Sequence, residues 1–213
     1  MSDLGAVRAR LEVHGLDVDD LTDDPLDLFR RWYSDAQDAG VHQPEAMVLS
    51  TATVEAVPSG RFVLLRGLLD DGFAFYTNRN SRKAAELDTN GWASLVFPWI
   101  QMSRQVRVEG VVTRTSDQDS DEYFRTRPRG AQIGAWASDQ STVILDRSTL
   151  DQRVAELTEQ FGDGEVPRPP HWGGYRVRPR VFEFWQGRQD RLHDRFRYDL
   201  VGRGRWSSVR LAP

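Results

Sequence analysis

The sequence predicts an α+β protein, mainly β, built on an antiparallel sheet or barrel with flanking helices. Three observations carry that expectation. Short runs rich in Val, Leu, Phe and Trp recur along the 213 residues, each bounded by turn-forming residues. Only a few helical patterns lie between them, without the regular alternation of a parallel α/β fold. No GxGxxG follows a strand; Gly202-Arg203-Gly204 lacks the third glycine and a helix after it.

In chain order, residues 1–24 are polar and acidic and read as a mobile arm. Pro25 opens a helix in which Leu28, Phe29, Trp32, Tyr33 and Ala36 recur at helical spacing, closed by Gly40. Residues 46–53 and 61–69 read as strands separated by a turn at Pro58, Ser59 and Gly60. Asp70-Asp71-Gly72 turns the chain into a further strand, 73–77. Ser81 is placed to cap a short helix over 82–88. Strands at 92–99 and 104–115 follow, the second with alternating valines broken near Gly110, where a bulge is expected. Residues 117–127 read as helix. The run 148–161 is amphipathic, with Leu150, Val154, Leu157 and Phe161 on one side. Pro167, Pro169 and Pro170 form a stiff connector, and short strands are expected around 181–185, 195–200 and 205–211.

Composition excludes several classes. With no cysteine there is no disulfide scaffold, thiol nucleophile or Cys-ligated metal, a composition suited to a reducing cytoplasm. The four histidines lack metal-ligand spacing, so no metal site is expected. The most apolar run, 93–100, holds Pro98 and is far short of the ~20 residues of a membrane span. Neither a signal peptide nor a membrane partner is expected.

The net charge is −4, unevenly spread: residues 1–60 carry −8 and residues 171–213 carry +6. Of 28 basic residues only Lys83 is lysine. An arginine-rich end suits nucleic acid, a phosphorylated metabolite, or association with the acidic end of another copy. The mildly acidic whole argues against a general nucleic-acid binder.

Three segments concentrate donors. Arg61 and Arg66 flank an apolar strand and face opposite ways. Residues 76–83, YTNRNSRK, join a strand exit to a helix start and make a sound phosphate cradle. Arg191, His193 and Arg195 alternate and would share one face of an extended segment, suited to a planar anion. Each segment also suits a plainer role: solvated strand ends, a capped surface helix, or an edge strand kept soluble by charge.

At these residues the chain resembles the pyridoxine/pyridoxamine 5′-phosphate oxidase family. The resemblance runs from about Pro25 to Pro213 through RFVLLR (61–66), FYTNRNSRKA (75–84), FPWIQMSRQVRVEG (97–110), YFRTRPRGAQIGAWASDQS (123–141), WGGYRVRP (172–179), EFWQGRQDRLHDRFRY (183–198) and RLAP (210–213). It implies an FMN-binding split β-barrel over residues 25–213, with a dimerisation and active-site segment from about 171. It also implies a cytoplasmic homodimer holding FMN at its interface. The implied FMN contacts are Arg61, Phe62, Val63, Leu64, Leu65, Arg66, Tyr76, Thr77, Arg82, Lys83, Gln105, Gln140, Ser141, Trp185 and Arg195. The substrate phosphate would meet Arg66, Tyr123 and Arg127, with Arg191 and His193 as catalytic residues against the pyridine ring and Arg8 helping to close the site.

The implied reaction oxidises pyridoxine or pyridoxamine 5′-phosphate to pyridoxal 5′-phosphate. Oxygen is the acceptor and hydrogen peroxide the by-product. The alternatives are a phenazine-type flavin oxidase acting on another aromatic ring and a non-catalytic binder of FMN or pyridoxal phosphate. Three positions depart from the family pattern: Arg66 stands where lysine is usual, Ala131 where serine is usual, and Leu11 where the arm usually carries tyrosine. Lys83, the lone lysine, falls in the stretch implied to grip the FMN phosphate.

Overall fold

The computed structural model describes residues 4–69, 71–202 and 204–213. Its nine strands join in one antiparallel sheet, with side chains alternating between faces along each strand. β1 (Ala46–Ala52) lies between β2 (Pro58–Leu64) and β5 (Trp92–Trp99), and β5 pairs with β6 (Arg104–Arg114). β6 then pairs along most of β7 (Trp172–Gln186). The other edge of β7 is shared. Its first part pairs with β4 (Gly72–Asn78), which forms a hairpin with β3 (Gly67–Leu69). Its second part pairs with β8 (Asp194–Gly202), which carries β9 (Arg205–Leu211).

Helix α2 (Pro25–Asp38) starts with Pro25 at its first turn and the Asp24 carboxylate accepting from the Leu26 N–H at 2.9 Å. Its apolar side supplies Phe29 and Trp32 to an aromatic core. Phe29 meets Phe97 edge-on at 4.8 Å, and Trp32 meets Phe184 at 5.3 Å. Arg104 is buried in this core, 4.2 Å over Trp32, with Asp35 at 2.7 Å and Gln186 at 2.9 Å satisfying its donors.

A second, smaller core lies beside the start of β7. Phe124 of α4 (Asp117–Arg125) and Ile133 of α5 (Arg129–Ala137) meet Val166 and Trp172 there, with Leu157 and Phe161 of α6 (Ser148–Phe161) against them. Helix α3 (Arg82–Asn90) packs on β1. Among the described residues no helix is long and apolar enough to cross a membrane, and no group of three or more His, Asp or Glu side chains is placed to hold a metal.

Several expectations need correction. Residues 1–3 of the expected mobile arm lie outside the described residues, but Leu4–His14 form helix α1, and Leu11 and Leu16 are buried. Leu4, Val7 and Leu11 supply an apolar stripe at helical spacing that the acidic composition obscures. Leu11, at the expected tyrosine position, therefore faces the core.

The expected turn at Pro58, Ser59 and Gly60 is strand; the turn comes earlier, where Ala56 adopts φ +63°. Proline is tolerated as the first strand residue because no ladder bond is needed from it. The expected 61–69 strand breaks at Leu65 and Arg66. There the backbone changes partners: the Leu65 N–H bonds to Glu45 and the Arg66 N–H to Ala74. Asp70, within the expected hairpin turn, lies outside the described residues. Helix α5 and residues 172–180 of β7 were not expected; glycines at 130, 134, 173 and 174 hide both patterns.

The bulge expected near Gly110 is present, between Glu109 and Gly110. A Cβ there would lie 2.2 Å from the Arg178 carbonyl oxygen, so the close approach of β6 to β7 requires glycine. Gly110→Ala should destabilise the protein by about 1–3 kcal/mol without changing the denaturant slope. Urea unfolding measures this, and an unchanged midpoint rejects it.

Candidate active site

Where β2 ends, β4 exits into α3 and α4 leads to α5, side chains far apart in sequence line one cleft of about 260 Å³. Phe62, Val63, Leu64 and Arg66 come from β2 and the partner switch after it; Tyr76 and Thr77 from β4; Lys83 from α3. Tyr123, Arg127, Gln140 and Trp172 close the other side. Ala131 lines an adjoining hollow with Arg127 and Gln140.

The cleft has an aromatic slab. Tyr76 lies against Tyr123 at 4.2 Å and Trp172 at 5.4 Å, the rings within 20° of parallel. Arg127 lies 4.8 Å over Trp172, and its Nη1 is buried with no hydrogen-bond partner. Trp172 is held in turn by Arg168, whose Nη1 donates to the Trp172 carbonyl at 2.6 Å. Gly174 permits the slab: a Cβ there would meet the Tyr76 ring at 2.7 Å and Thr115 Oγ1 at 2.6 Å.

At the start of α3 the expected Ser81 cap is turned away. Its hydroxyl donates to the Asn78 carbonyl at 2.7 Å, and no side chain caps the helix. Lys83, only 8% exposed, instead points its ammonium at Gln140 Oε1 (2.7 Å), Thr77 Oγ1 (3.2 Å) and Ser81 Oγ (3.3 Å). Burial, with the Arg61 charge nearby, pulls its pKa down to about 8. The Arg82 N–H donates to Ser141 Oγ at 3.2 Å, tying the 138–141 loop to the helix start.

Arg61 does not line the cleft. Its guanidinium donates to Thr51 Oγ1 (2.6 Å), Ser59 Oγ and the Leu49 carbonyl, with Glu86 at 3.4 Å. Arg82 reaches the other oxygen of Glu86 at 2.8 Å. Burial pushes the Glu86 carboxyl up, but hydrogen bonds from Ser59, Thr51 and Arg82 outweigh it and hold its pKa at about 2. Leu65 faces the core.

The remaining expected residues form a second cluster, outside this cleft. Gln105, Trp185 and Arg195 are register partners across β6, β7 and β8. Arg195 donates to Glu183 Oε1 through two nitrogens, at 2.9 and 3.0 Å, and to the Ala212 carbonyl at 2.8 Å. His193 packs on Trp185 with ring centroids 4.6 Å apart, and its Nδ1 accepts from the Arg188 N–H at 3.1 Å. That bond requires Nδ1 to be unprotonated, so the ring proton sits on Nε2.

Residues 191–195 are not the extended row expected. Asp190 and Arg191 adopt φ +57° and +60° in a tight turn, a conformation that costs non-glycine residues energy. Helix α1 packs on Ile100–Met102, and Arg188 Nη1 donates to its Val13 carbonyl at 3.1 Å. Arg8 pairs with Glu12 at 2.7 Å, and Glu12 accepts from Ser103 Oγ at 2.6 Å. The Ser103 and Arg8 hydrogen bonds lower the Glu12 pKa.

On β7, Trp185 lies eleven residues beyond Gly174, the register partner of Tyr76. At ~3.3 Å per residue this is on the order of 36 Å along the strand. Trp172 and Glu86 were missed as site residues. The Trp-Gly-Gly run was the available signal for Trp172; nothing local marks Glu86.

The chain is similar to known proteins in sequence and in fold. A family model described as pyridoxamine 5′-phosphate oxidase matches residues 33–161. A second, described as the pyridoxine 5′-phosphate oxidase C-terminal dimerisation region, matches residues 172–213. The chain is 51% identical to a pyridoxine/pyridoxamine 5′-phosphate oxidase of Rubrobacter xylanophilus, covering 99% of this chain and 97% of that one. It is 50% identical to one of Salinibacter ruber, covering both chains fully. Among solved structures it resembles PhzG from Burkholderia lata 383, in complex with tetrahydrophenazine-1-carboxylic acid, with TM-score 0.87 and 34% identity over 92% of this chain and 95% of that one. It also shares the fold of a pyridoxamine 5′-phosphate oxidase-related, FMN binding protein from Nostoc punctiforme (TM-score 0.69, 17% identity, covering 89% of this chain and 97% of that one).

Gly174→Ala should push Tyr76 out of the slab and destabilise the protein by about 1–3 kcal/mol. The near-ultraviolet circular dichroism of the stacked rings should change with it. An unaltered spectrum at unaltered stability rejects the close approach at Gly174.

Proposed function

The chain belongs to the pyridoxamine 5′-phosphate oxidase family, and from that premise we propose that it is a pyridoxal 5′-phosphate synthase. In this reading it oxidises pyridoxine 5′-phosphate to pyridoxal 5′-phosphate and reduces oxygen to hydrogen peroxide. With the amine substrate, water is also consumed and ammonia released. The observation that carries the reading is the cleft itself. Its aromatic slab borders two cationic subsites, one at Lys83 and one at Arg127, whose buried Nη1 lacks a partner.

The residues present fit FMN. The uncapped start of α3, with Arg82, Lys83 and the nearby Arg61, suits a phosphate. Phe62, Val63, Leu64, Arg66, Tyr76, Thr77, Gln140 and Ser141 would complete the contacts from this copy. Bound FMN supplies the electron-accepting ring. Arg66, Tyr123 and Arg127 would bind the substrate phosphate. Ala131 offers no hydroxyl there, and Arg66 adds a planar guanidinium in place of a lysine ammonium.

Gln105, Trp185, Arg195, Arg191 and His193 sit too far along β7 to meet a flavin in the same chain's cleft. In the proposed homodimer they serve the cleft of the partner, with Arg8 beside them on α1. His193, its Nδ1 occupied by the Arg188 N–H, would donate a hydrogen bond to substrate through Nε2. Arg191 would fix the substrate ring by charge. We also assign the enzyme to the cytoplasm, to which its cysteine-free composition is suited.

Purified protein supplied with FMN and pyridoxine 5′-phosphate in air should form pyridoxal 5′-phosphate and peroxide in equal amounts. Flavin binding without turnover would favour a non-catalytic binder, and turnover of a phenazine precursor alone would favour the phenazine-type oxidase. Division of the site between two copies has its own test. Arg127→Ala and His193→Ala homodimers should both be impaired, whereas mixed dimers retain one intact site. Random mixing should then restore about a quarter of wild-type activity; no recovery rejects the shared site.

The cofactor phosphate favours protonated Lys83, whose pKa lies near 8 in the free protein. FMN affinity should therefore be greatest below about pH 8 and fall as pH rises through it, by at most about tenfold per pH unit. Lys83→Met should flatten this profile. Flavin fluorescence titrations measure it, and a flat wild-type profile between about pH 7 and 9 rejects the assignment.

A further inference from the structure

We infer that Glu86 is a positioning residue that holds Arg61 and Arg82 beside the phosphate subsite at Lys83 and sets the charge there; the inference rests on the flavin reading above. Glu86 is 5% exposed and does not line the cleft. It nevertheless joins two of the cations assigned to the phosphate. Oε1 takes Arg82 Nε at 2.8 Å, and Oε2 faces Arg61 Nη2 at 3.4 Å. Hydrogen bonds from Ser59 Oγ at 2.6 Å and from the Thr51 hydroxyl fix the carboxylate in place.

Arginine side chains are long, and ordering them costs rotamer entropy. Arg82 is 59% exposed and would otherwise sample many positions. Its ion pair with an exposed partner would add little. Here the partner is buried and already fixed by Ser59 and Thr51, so the guanidinium is held before any ligand arrives.

The charge count points the same way. Arg61, Arg82 and Lys83 bring three positive charges together, and Arg61 already disfavours the Lys83 ammonium. One buried carboxylate leaves a balance of two positive charges. A phosphate monoester carries about −1.5 to −2 at neutral pH. Glu86 thus lets the three cations coexist in the free protein while leaving the charge that a monoester neutralises.

The test compares FMN with riboflavin, which lacks the phosphate, by fluorescence titration of the flavin-stripped dimer. Glu86→Gln should weaken FMN binding about tenfold while leaving riboflavin binding within about twofold. Ser59→Ala, which loosens the carboxylate without removing its charge, should shift the same ratio by about two- to threefold. Glu86→Asp should recover part of the loss.

A carboxylate that only supported the fold would lower both affinities together, so an unchanged FMN-to-riboflavin ratio in Glu86→Gln overturns the inference. Should that variant fail to fold, an unchanged ratio in Ser59→Ala overturns it. Wild-type protein that binds neither flavin would refute the flavin reading itself, which separates the two failures.

Discussion

The hydrogen-bonding capacity of one strand organises this molecule. β7 has two edges, and β6 takes one of them along most of its length. The other edge is divided, first to β4 and then to β8. That division fixes where the two side-chain clusters lie. β4 delivers Tyr76, Thr77 and the start of α3 to one end of β7; β8 delivers His193 and Arg195 to the other. A strand that paired with one neighbour throughout would put both sets of side chains at the same end of the sheet, or neither.

The two ends meet similar electrostatic demands by the same means. Each has arginines that must stay charged and oriented, and each anchors them on a buried carboxylate. Glu86 holds Arg61 and Arg82, and Glu183 holds Arg195 together with Arg107 at 2.9 Å. Losing either carboxylate would leave the arginines it orders without their common partner. In a chain whose basic residues are almost all arginine, they also prevent the guanidinium groups from pairing elsewhere.

Much of this was legible in the sequence, for local reasons. Alternating valines placed β6, and the same alternation, broken at Gly110, located its bulge. The 76–83 run placed Thr77 and Lys83 together because a strand exit and a helix start are contiguous there. The aromatic slab was not legible, because Tyr76, Tyr123 and Trp172 meet only once β4, α4 and β7 are assembled. The break at Leu65 was hidden for a similar reason: RFVLLR is uniformly apolar between its arginines, and only the change of partner from β1 to β4 ends the strand. Glu86 escaped notice because a glutamate on a short polar helix resembles a solvent-facing one until Ser59 and Thr51 are folded against it. The Arg191 turn is not legible, because alternating charge suggests an extended segment and says nothing about a positive φ.

The separation along β7 has a thermodynamic consequence. In the proposed shared site, a flavin held at one end by one copy and at the other by its partner would act as a bridge between subunits. Cofactor occupancy and subunit association then become linked equilibria: each FMN bound opposes dissociation, and each dissociation event gives up flavin contacts at both clefts. At low chain concentration the apparent flavin affinity becomes a property of the pair and varies with dilution. Flavin scarcity, conversely, loosens the assembly. In that arrangement, the strand that keeps the two clusters apart in one chain would couple the supply of cofactor to the lifetime of the dimer.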